Sequence, residues 1–242
     1  MSARIARGMV LAAGFGLRMR PLTLTTPKPL IPVAGRCMLD RALDHFAAAG
    51  VETAVVNAHY LAAKIVMHVA LRMGQGRDKL GILVSQEAAI LDTGGGVAQA
   101  LRDLGDAPFY VANGDILWRD GTVPALTRLA AAWDDATMDA LLLVHDKDAA
   151  IGYDGPGDFD FAGRELRRRD GNSAPFVFTG VQILHPRLFA GAPRGAFSLN
   201  ALYDKAAAAG RLHGLRHDGD WYHIGTPDGL ALAERHLQAR LS

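Results

Sequence analysis

The sequence predicts an α/β fold built on a largely parallel sheet with helices on both faces. Three observations predict it. Short apolar runs alternate with segments of helical period through residues 1–145. Glycine and proline separate the first apolar run from the first helical segment. Half of the 242 residues are hydrophobic and 21% are charged, which is enough apolar mass for one sizeable core.

The elements follow in order. Arg7–Ala12 (RGMVLA) reads as the first strand. Prolines 21, 27, 29 and 32 exclude a helix until Gly35. A helix is expected over Cys37–Ala49, with Leu39, Leu43, Phe46 and Ala47 at helical spacing and Gly50 as its stop. Val51–Asn57, Leu80–Gln86, Pro108–Ala112 and Asp139–His145 read as buried strands. Residues 60–72, Gly94–Leu104 and residues 122–133 read as the intervening helices.

After residue 146 the rhythm changes. Gly152–Asp170 is glycine-rich and charged, with short hairpin strands expected at Phe159–Phe161 and Glu165–Arg168. Phe176–Leu184 is a strong strand. A last helix starts at Thr226-Pro227-Asp228, with a threonine cap, proline at its first position and an acid in its first turn. These breaks divide the chain into 1–145, 146–225 and 226–242.

Charge is balanced at +1, from 26 basic and 25 acidic residues, so no global field points to nucleic acid. Any anion site must be local. Cys37 is the lone cysteine and forms no internal disulfide, which suits a reducing compartment. No base lies near it in the sequence, so a packing or surface role is expected. The apolar run Met9–Ala13 is far too short for a signal segment or a membrane span, and a cytoplasmic location is expected.

Ligands of open α/β sheets sit beyond the carboxyl ends of the strands. Three segments land there: the loop after the first strand, the loop before Gly94, and Asp115. The first of these runs Leu11-Ala12-Ala13-Gly14-Phe15-Gly16-Leu17-Arg18-Met19-Arg20-Pro21 and on to Thr26-Pro27-Lys28-Pro29. Small residues and two glycines let backbone approach a ligand, and loop amides can form a nest for phosphate oxygens. Arg18 can grip phosphate with two donors, and Lys28 acts as a point charge. A dinucleotide fingerprint is excluded because Met19 stands where its third glycine belongs. The lysine-serine/threonine ending of a P-loop is absent as well.

The string resembles the signature of the sugar-1-phosphate nucleotidyltransferase family, L-A-A-G-x-G-x-R-x-x-P-x-T…P-K-P, and continues as Leu30–Gly35 in the family's manner. The likeness extends through Gly114-Asp115, Thr179-Gly180 and Trp221…Gly225-Thr226. Leu91–Gly96, Asn113–Asp115 and Gly157–Phe159 resemble a uridylyl-transferring branch. The resemblance implies a single Rossmann-like, glycosyltransferase-A-like domain: a mostly parallel mixed sheet flanked by helices, with a small sugar-binding lobe in 146–225. It implies a nucleoside triphosphate and a sugar 1-phosphate as partners, with UTP preferred and GTP open. Self-association stays open, since relatives occur as monomers and as oligomers.

The same resemblance supplies a site. Arg18, Lys28 and Asp115 are the expected catalytic residues. Leu11, Ala12, Ala13, Gly14, Gly16, Arg18, Lys28, Gln86, Gly94 and Gly95 are the expected nucleotide contacts. Asn113, Asp158, Thr179 and Gly180 are the expected sugar contacts. Asp115 is the expected ligand of Mg2+, with Mn2+ as the alternative. The family's second metal aspartate falls in a W-x-D-x-G-T segment, but here His223 occupies its place. Imidazole is a poor Mg2+ ligand, so His223 reads as a water-mediated or softer-ion ligand, a phosphate-orienting group, or a packed residue.

Two other classes fit the sequence less well. A nucleotide-sensing module without catalysis is suggested only by His223. A dinucleotide-dependent reductase needs an acid just after the second strand, where Val56-Asn57-Ala58-His59 offers none.

Overall fold

Strand parity sends successive side chains to opposite faces, so each strand can feed two cores at once. The computed structural model describes residues 4–240. The chain runs β1 (Arg7–Leu11), β2 (Pro32–Val33), β3 (Arg36–Cys37), α1 (Met38–Ala48), β4 (Thr53–Ala58), α2 (Ala62–Gly74), β5 (Gly81–Gln86) and α3 (Asp92–Leu104). It continues through β6 (Phe109–Asn113), β7 (Leu117–Trp118), α4 (Ala125–Ala132), β8 (Ala140–Asp146), β9 (Phe159–Ala162), β10 (Glu165–Arg168) and β11 (Phe176–Leu184). It closes with α5 (Asn200–Ala208), β12 (Leu212–Arg216), β13 (Trp221–Tyr222) and α6 (Pro227–Ala239). Residues 1–3 and 241–242, which fall in the first and last expected segments, lie outside the described residues.

Nine strands form one sheet in the order β5-β4-β1-β6-β11-β8-β12-β10-β9. The half made of β5, β4, β1 and β6 is parallel, as the strand–helix alternation predicts. Beyond β6 the sheet is mixed. β11 runs antiparallel between β6 and β8, β12 is parallel to β8, and the β9–β10 hairpin extends the far edge. The hairpin therefore belongs to the main sheet. Its Arg167-Arg168-Arg169 run is exposed to solvent, and Arg168 pairs with Asp204 at 2.7 Å.

One face of the sheet buries Val10, Val56, Tyr110, Leu141 and Ile183 against α1, α2 and α4. The other buries Met9, Val55, Val111, Leu142 and Val144 against α3 and α5. A third cluster, Met19, Ile31, Val33, Met38, Leu117, Tyr222, Ile224, Ala233 and Leu237, ties the loop after β1 to α6. The proline-rich stretch forms no α-helix, but it folds into three short 3-10 turns at Leu17–Met19, Leu22–Leu24 and Lys28–Leu30. α6 starts as its sequence predicts, with the Thr226 hydroxyl accepting from the Gly229 amide at 3.2 Å. Among the described residues, no helix is long and apolar enough to cross a membrane.

Two measurements test this packing. Phe46 is fully buried and stacks on Tyr110 at 6.0 Å, with Gly8 flat beneath its ring. Phe46→Ala is expected to lower the unfolding free energy in urea by about 3–5 kcal/mol. His217 is buried, its Nε2 donating to the carbonyls of Arg119 at 3.0 Å and Asp220 at 3.3 Å. Burial pushes its imidazole below the ordinary 6.5, and His145 adds to this while Asp220, Arg119 and Asp120 oppose it. The unfolded chain then takes up a proton that folded His217 refuses. The resulting stability is present above the ordinary value and is lost as pH falls towards the folded one. Urea unfolding at about pH 7.5 and about pH 5.5 should show this loss in the wild type and a smaller one in His217→Asn.

Candidate active site

The site begins where β1 and β6 end side by side. The Gly114 amide donates to the Leu11 carbonyl at 2.8 Å, and a Cβ on Gly114 would lie 2.7 Å from that oxygen. Only glycine permits this approach. It sets Asp115 directly across from the loop after β1. Lys28 reaches the same point from the third 3-10 turn, and its Nζ donates to Asp115 Oδ2 at 2.8 Å. The lysine side chain is 9% exposed and the aspartate 42%, so the carboxylate faces the opening.

Gly16 bends the loop between them. It is left-handed, at φ 61°, and a Cβ there would strike Thr23 at 2.9 Å and Lys28 Cβ at 3.0 Å. The Thr23 hydroxyl ties down the Gly16 carbonyl at 2.9 Å. The amides of Gly14, Phe15 and Gly16 have no protein acceptor among the described residues. The Ala12 amide does not join them, because it donates to Asn57 Oδ1 at 2.6 Å. Asn57 in turn donates to Glu87 Oε1 at 2.7 Å, and Glu87 Oε2 accepts the Leu91 amide at 3.1 Å. This chain of bonds fixes the loop to the neighbouring strand ends.

Together these segments enclose a cleft of about 500 Å3. Leu11, Ala12, Ala13, Gly14, Gly16, Arg18, Lys28, Asn113 and Asp115 all line it, as the sequence analysis expects. Arg18 is exposed and forms no ion pair among the described residues, so its guanidinium is available to an anion.

Other expected contacts fall elsewhere. Gln86, the last residue of β5, is exposed and does not line the cleft; Glu87, the first residue beyond the strand, is buried and does. Gly94 and Gly95 both donate to the Phe197 carbonyl, at 2.8 and 3.1 Å. A Cβ on either would strike Phe197 or Gly195, so these glycines serve the packing of α3 against the 195–197 loop.

On the sugar side, Thr179 is fully buried in an irregularity of β11, and its hydroxyl donates to the Leu143 carbonyl at 2.8 Å. Asp158 accepts the Phe178 amide at 2.9 Å and supports the same irregularity. Gly180, at φ 84°, leaves room for Asn113, whose Nδ2 would lie 2.8 Å from a Cβ there. Asp158, Thr179 and Gly180 do not line the cleft.

His223 is half-buried beside the cleft, its Nε2 next to Gly225 and close to Arg18 Nη1. Burial and then the Arg18 and Lys28 cations push its imidazole below the ordinary histidine value, while Asp115 and Asp154 oppose them. The ring is therefore neutral near pH 7. Asn57, Glu87, Ile90, Asp92, Thr93 and Gly225 also line the cleft; the sequence pointed to the loop before Gly94 and to the Trp221…Gly225-Thr226 segment but not to Asn57. Asn57 and Glu87 were within reach of the rule that strand carboxyl ends build the site. Asp92 carries a further mark only in the backbone, a left-handed φ of 59°.

Comparison with known proteins agrees with this geometry. Residues 7–153 match the family model described as nucleotidyl transferase. The chain is 42% identical over 231 residues to an N-acetylmuramate alpha-1-phosphate uridylyltransferase of Caulobacter vibrioides, covering 95% of this chain and 96% of that protein. It is 35% identical to the enzyme of the same name from Neisseria meningitidis, covering 91% and 93%. A mannose-1-phosphate guanyltransferase of Hypocrea jecorina matches over 113 residues at 37% identity, which is 46% of this chain and 30% of that protein. Among solved structures, UDP-glucose pyrophosphorylase complexed with UDP-glucose superimposes with a TM-score of 0.79 at 15% identity, covering 98% and 99%, a likeness of fold. The chain belongs to the nucleotidyl transferase family and is one of its sugar-1-phosphate enzymes.

Proposed function

We propose that this enzyme transfers the uridylyl group of UTP to N-acetylmuramate α-1-phosphate, giving the UDP-sugar and pyrophosphate, in cytoplasmic recycling of cell-wall sugars. The end-to-end likeness to two uridylyltransferases carries the choice of substrate. The guanyltransferase likeness covers less than half the chain and does not favour a GTP reading. A sensing module is not favoured, since the cleft holds Arg18, Lys28 and Asp115 together.

On this reading Arg18, Lys28 and the Gly14–Gly16 amides bind the triphosphate oxygens. A sugar-phosphate oxygen attacks the α-phosphorus in line. The bridge between the α- and β-phosphorus breaks, and pyrophosphate leaves with the bonding electrons. The nucleophile is already an anion, so no activating base is needed. The residues act by positioning and by charge neutralisation. Asn113 lies nearest the sugar side.

The donors fit a magnesium ion. Mg2+ takes oxygen ligands, commonly one or two carboxylates with substrate phosphates. Asp115 is a half-exposed carboxylate whose Oδ1 has no protein partner among the described residues. When bound there, Mg2+ supplies neutralisation of phosphate charge. The neutral His223 ring suits Mn2+ better as a direct ligand. The 146–225 segment, with Asp158, Thr179 and Gly180 packed around β11, supports the sugar end from behind the cleft on this reading.

Four nucleoside triphosphates assayed against several sugar 1-phosphates, with Mg2+ and with Mn2+, test the proposal through pyrophosphate release. UTP with N-acetylmuramate α-1-phosphate should be the fastest pair. A faster pair at equal concentrations refutes the assignment, and a marked Mn2+ preference places His223 on the ion. Asp115→Asn keeps an acceptor for Lys28 but loses the charge. Its kcat should fall by about 10²-fold or more, with a urea transition that stays cooperative but moves to lower urea because Lys28 keeps an acceptor and loses its counter-charge. Activity near the wild-type level removes Asp115 from the ion site.

A further inference from the structure

Cys37 closes β3 and caps α1, its sulfur accepting the Asp40 amide at 3.4 Å. No base stands near it in sequence, but folding brings one. α2 packs beside α1 and sets His68 Nε2 3.5 Å from Cys37 Sγ and 3.1 Å from Asp40 Oδ1. All three ligand atoms lie within 4.8 Å of one another. A single Nε2 faces both the sulfur and the oxygen, so one N–H cannot point along both contacts. A proton relay would use the two ring nitrogens separately.

The sulfur–nitrogen and nitrogen–oxygen distances are close to two edges of a coordination polyhedron. Zinc holds sulfur at about 2.3 Å, imidazole nitrogen at about 2.0–2.1 Å and carboxylate oxygen at about 2.0–2.2 Å. In a tetrahedron those lengths give a sulfur–nitrogen edge of about 3.6 Å and a nitrogen–oxygen edge of about 3.4 Å. The observed edges are 3.5 and 3.1 Å. Thiolate with imidazole selects zinc-class ions over Mg2+. We propose that Cys37, Asp40 and His68 form a site for one zinc-class divalent ion, apart from the catalytic cleft, that staples α1 to α2.

The surroundings suit this role. Arg72 Nη1 donates to Asp40 Oδ1 at 3.0 Å and orients the carboxylate, as an outer hydrogen bond does for a metal ligand. Arg72 does not depend on Asp40 for its charge, since Asp44 and Asp78 pair with it at 2.9 and 2.6 Å. The His68 side chain is 29% exposed and that of Asp40 14%, which leaves an entry path from solvent and a fourth position for water. Binding releases to solvent the protons on the Cys37 sulfur and on His68 Nε2. None of the three residues lines the cleft.

Co2+ is the probe, added to the full chain in the absence of Mg2+. Cys37 is the only cysteine, so any thiolate-to-cobalt charge-transfer band in the near ultraviolet reports this site. The band should saturate at one equivalent, persist in Asp115→Ala and collapse when Zn2+ is added. It should be absent in Cys37→Ser. His68→Ala and Asp40→Asn should each weaken Co2+ binding by about 10- to 100-fold. Thermal melts of each variant confirm that it is folded. No thiolate band in the wild type, or unchanged affinity in folded His68→Ala, overturns the proposal.

Discussion

A buried ammonium must have a partner, and here that requirement shapes the whole site. Lys28 is nearly closed off from water and bonds to Asp115, 87 residues further along the chain. An unpaired charge in that position would cost several kcal/mol. The pair therefore locks the loop after β1 to the end of β6. The lock closes only because Gly114 lets the two strand ends meet. The same contact that neutralises Lys28 leaves a carboxylate face and an exposed Arg18 lining one cleft. Stability and binding chemistry thus share a single geometry.

Around that pair the loop is held on three sides. Asn57 and Glu87 fix the Ala12 amide through consecutive hydrogen bonds. Thr23 fixes the Gly16 carbonyl. The Met19, Tyr222 and Ile224 cluster supports the loop from the α6 side. Trp221 donates to the Thr179 carbonyl at 2.9 Å, which joins β13 to the irregular part of β11. Thr179 is thus held inside the sheet and does not line the cleft. A loop pre-shaped in this way spends little ordering entropy when phosphate arrives.

The sequence was most legible where the signal is local. β1, β4, β5, β6 and β8 and the helices α1 to α4 were found to within a few residues, because apolar period and helix caps act over one or two turns, whereas the two-residue strands β2, β3 and β7 are too short to carry a period. α5 and β12 escaped, since Asn200–Ala208 is mostly polar and alanine and Leu212–Arg216 is short. The direction of β11 was also hidden: no local pattern says which way a fully buried strand runs. In the site, the string from Leu11 to Lys28 and Asp115 was readable because its residue types carry their chemistry openly. Gln86, exposed at the end of β5, does not line the cleft while the next residue, Glu87, does, a difference of one residue that no local signal marks.

What the chain determined by itself was its alternation of strands and helices, the glycine and cation content of the phosphate loop, and a carboxylate at a strand end. Tertiary structure alone decided that Lys28 meets Asp115, that Gly94 and Gly95 pack against the 195–197 loop and Thr179 against Leu143, and that Cys37 finds His68. The physical reason is range. Propensity, capping and periodicity are set by neighbours along the chain, whereas hydrogen-bond partners, burial and metal-like clusters are set by segments far apart in sequence that only the packed sheet brings within a few ångströms.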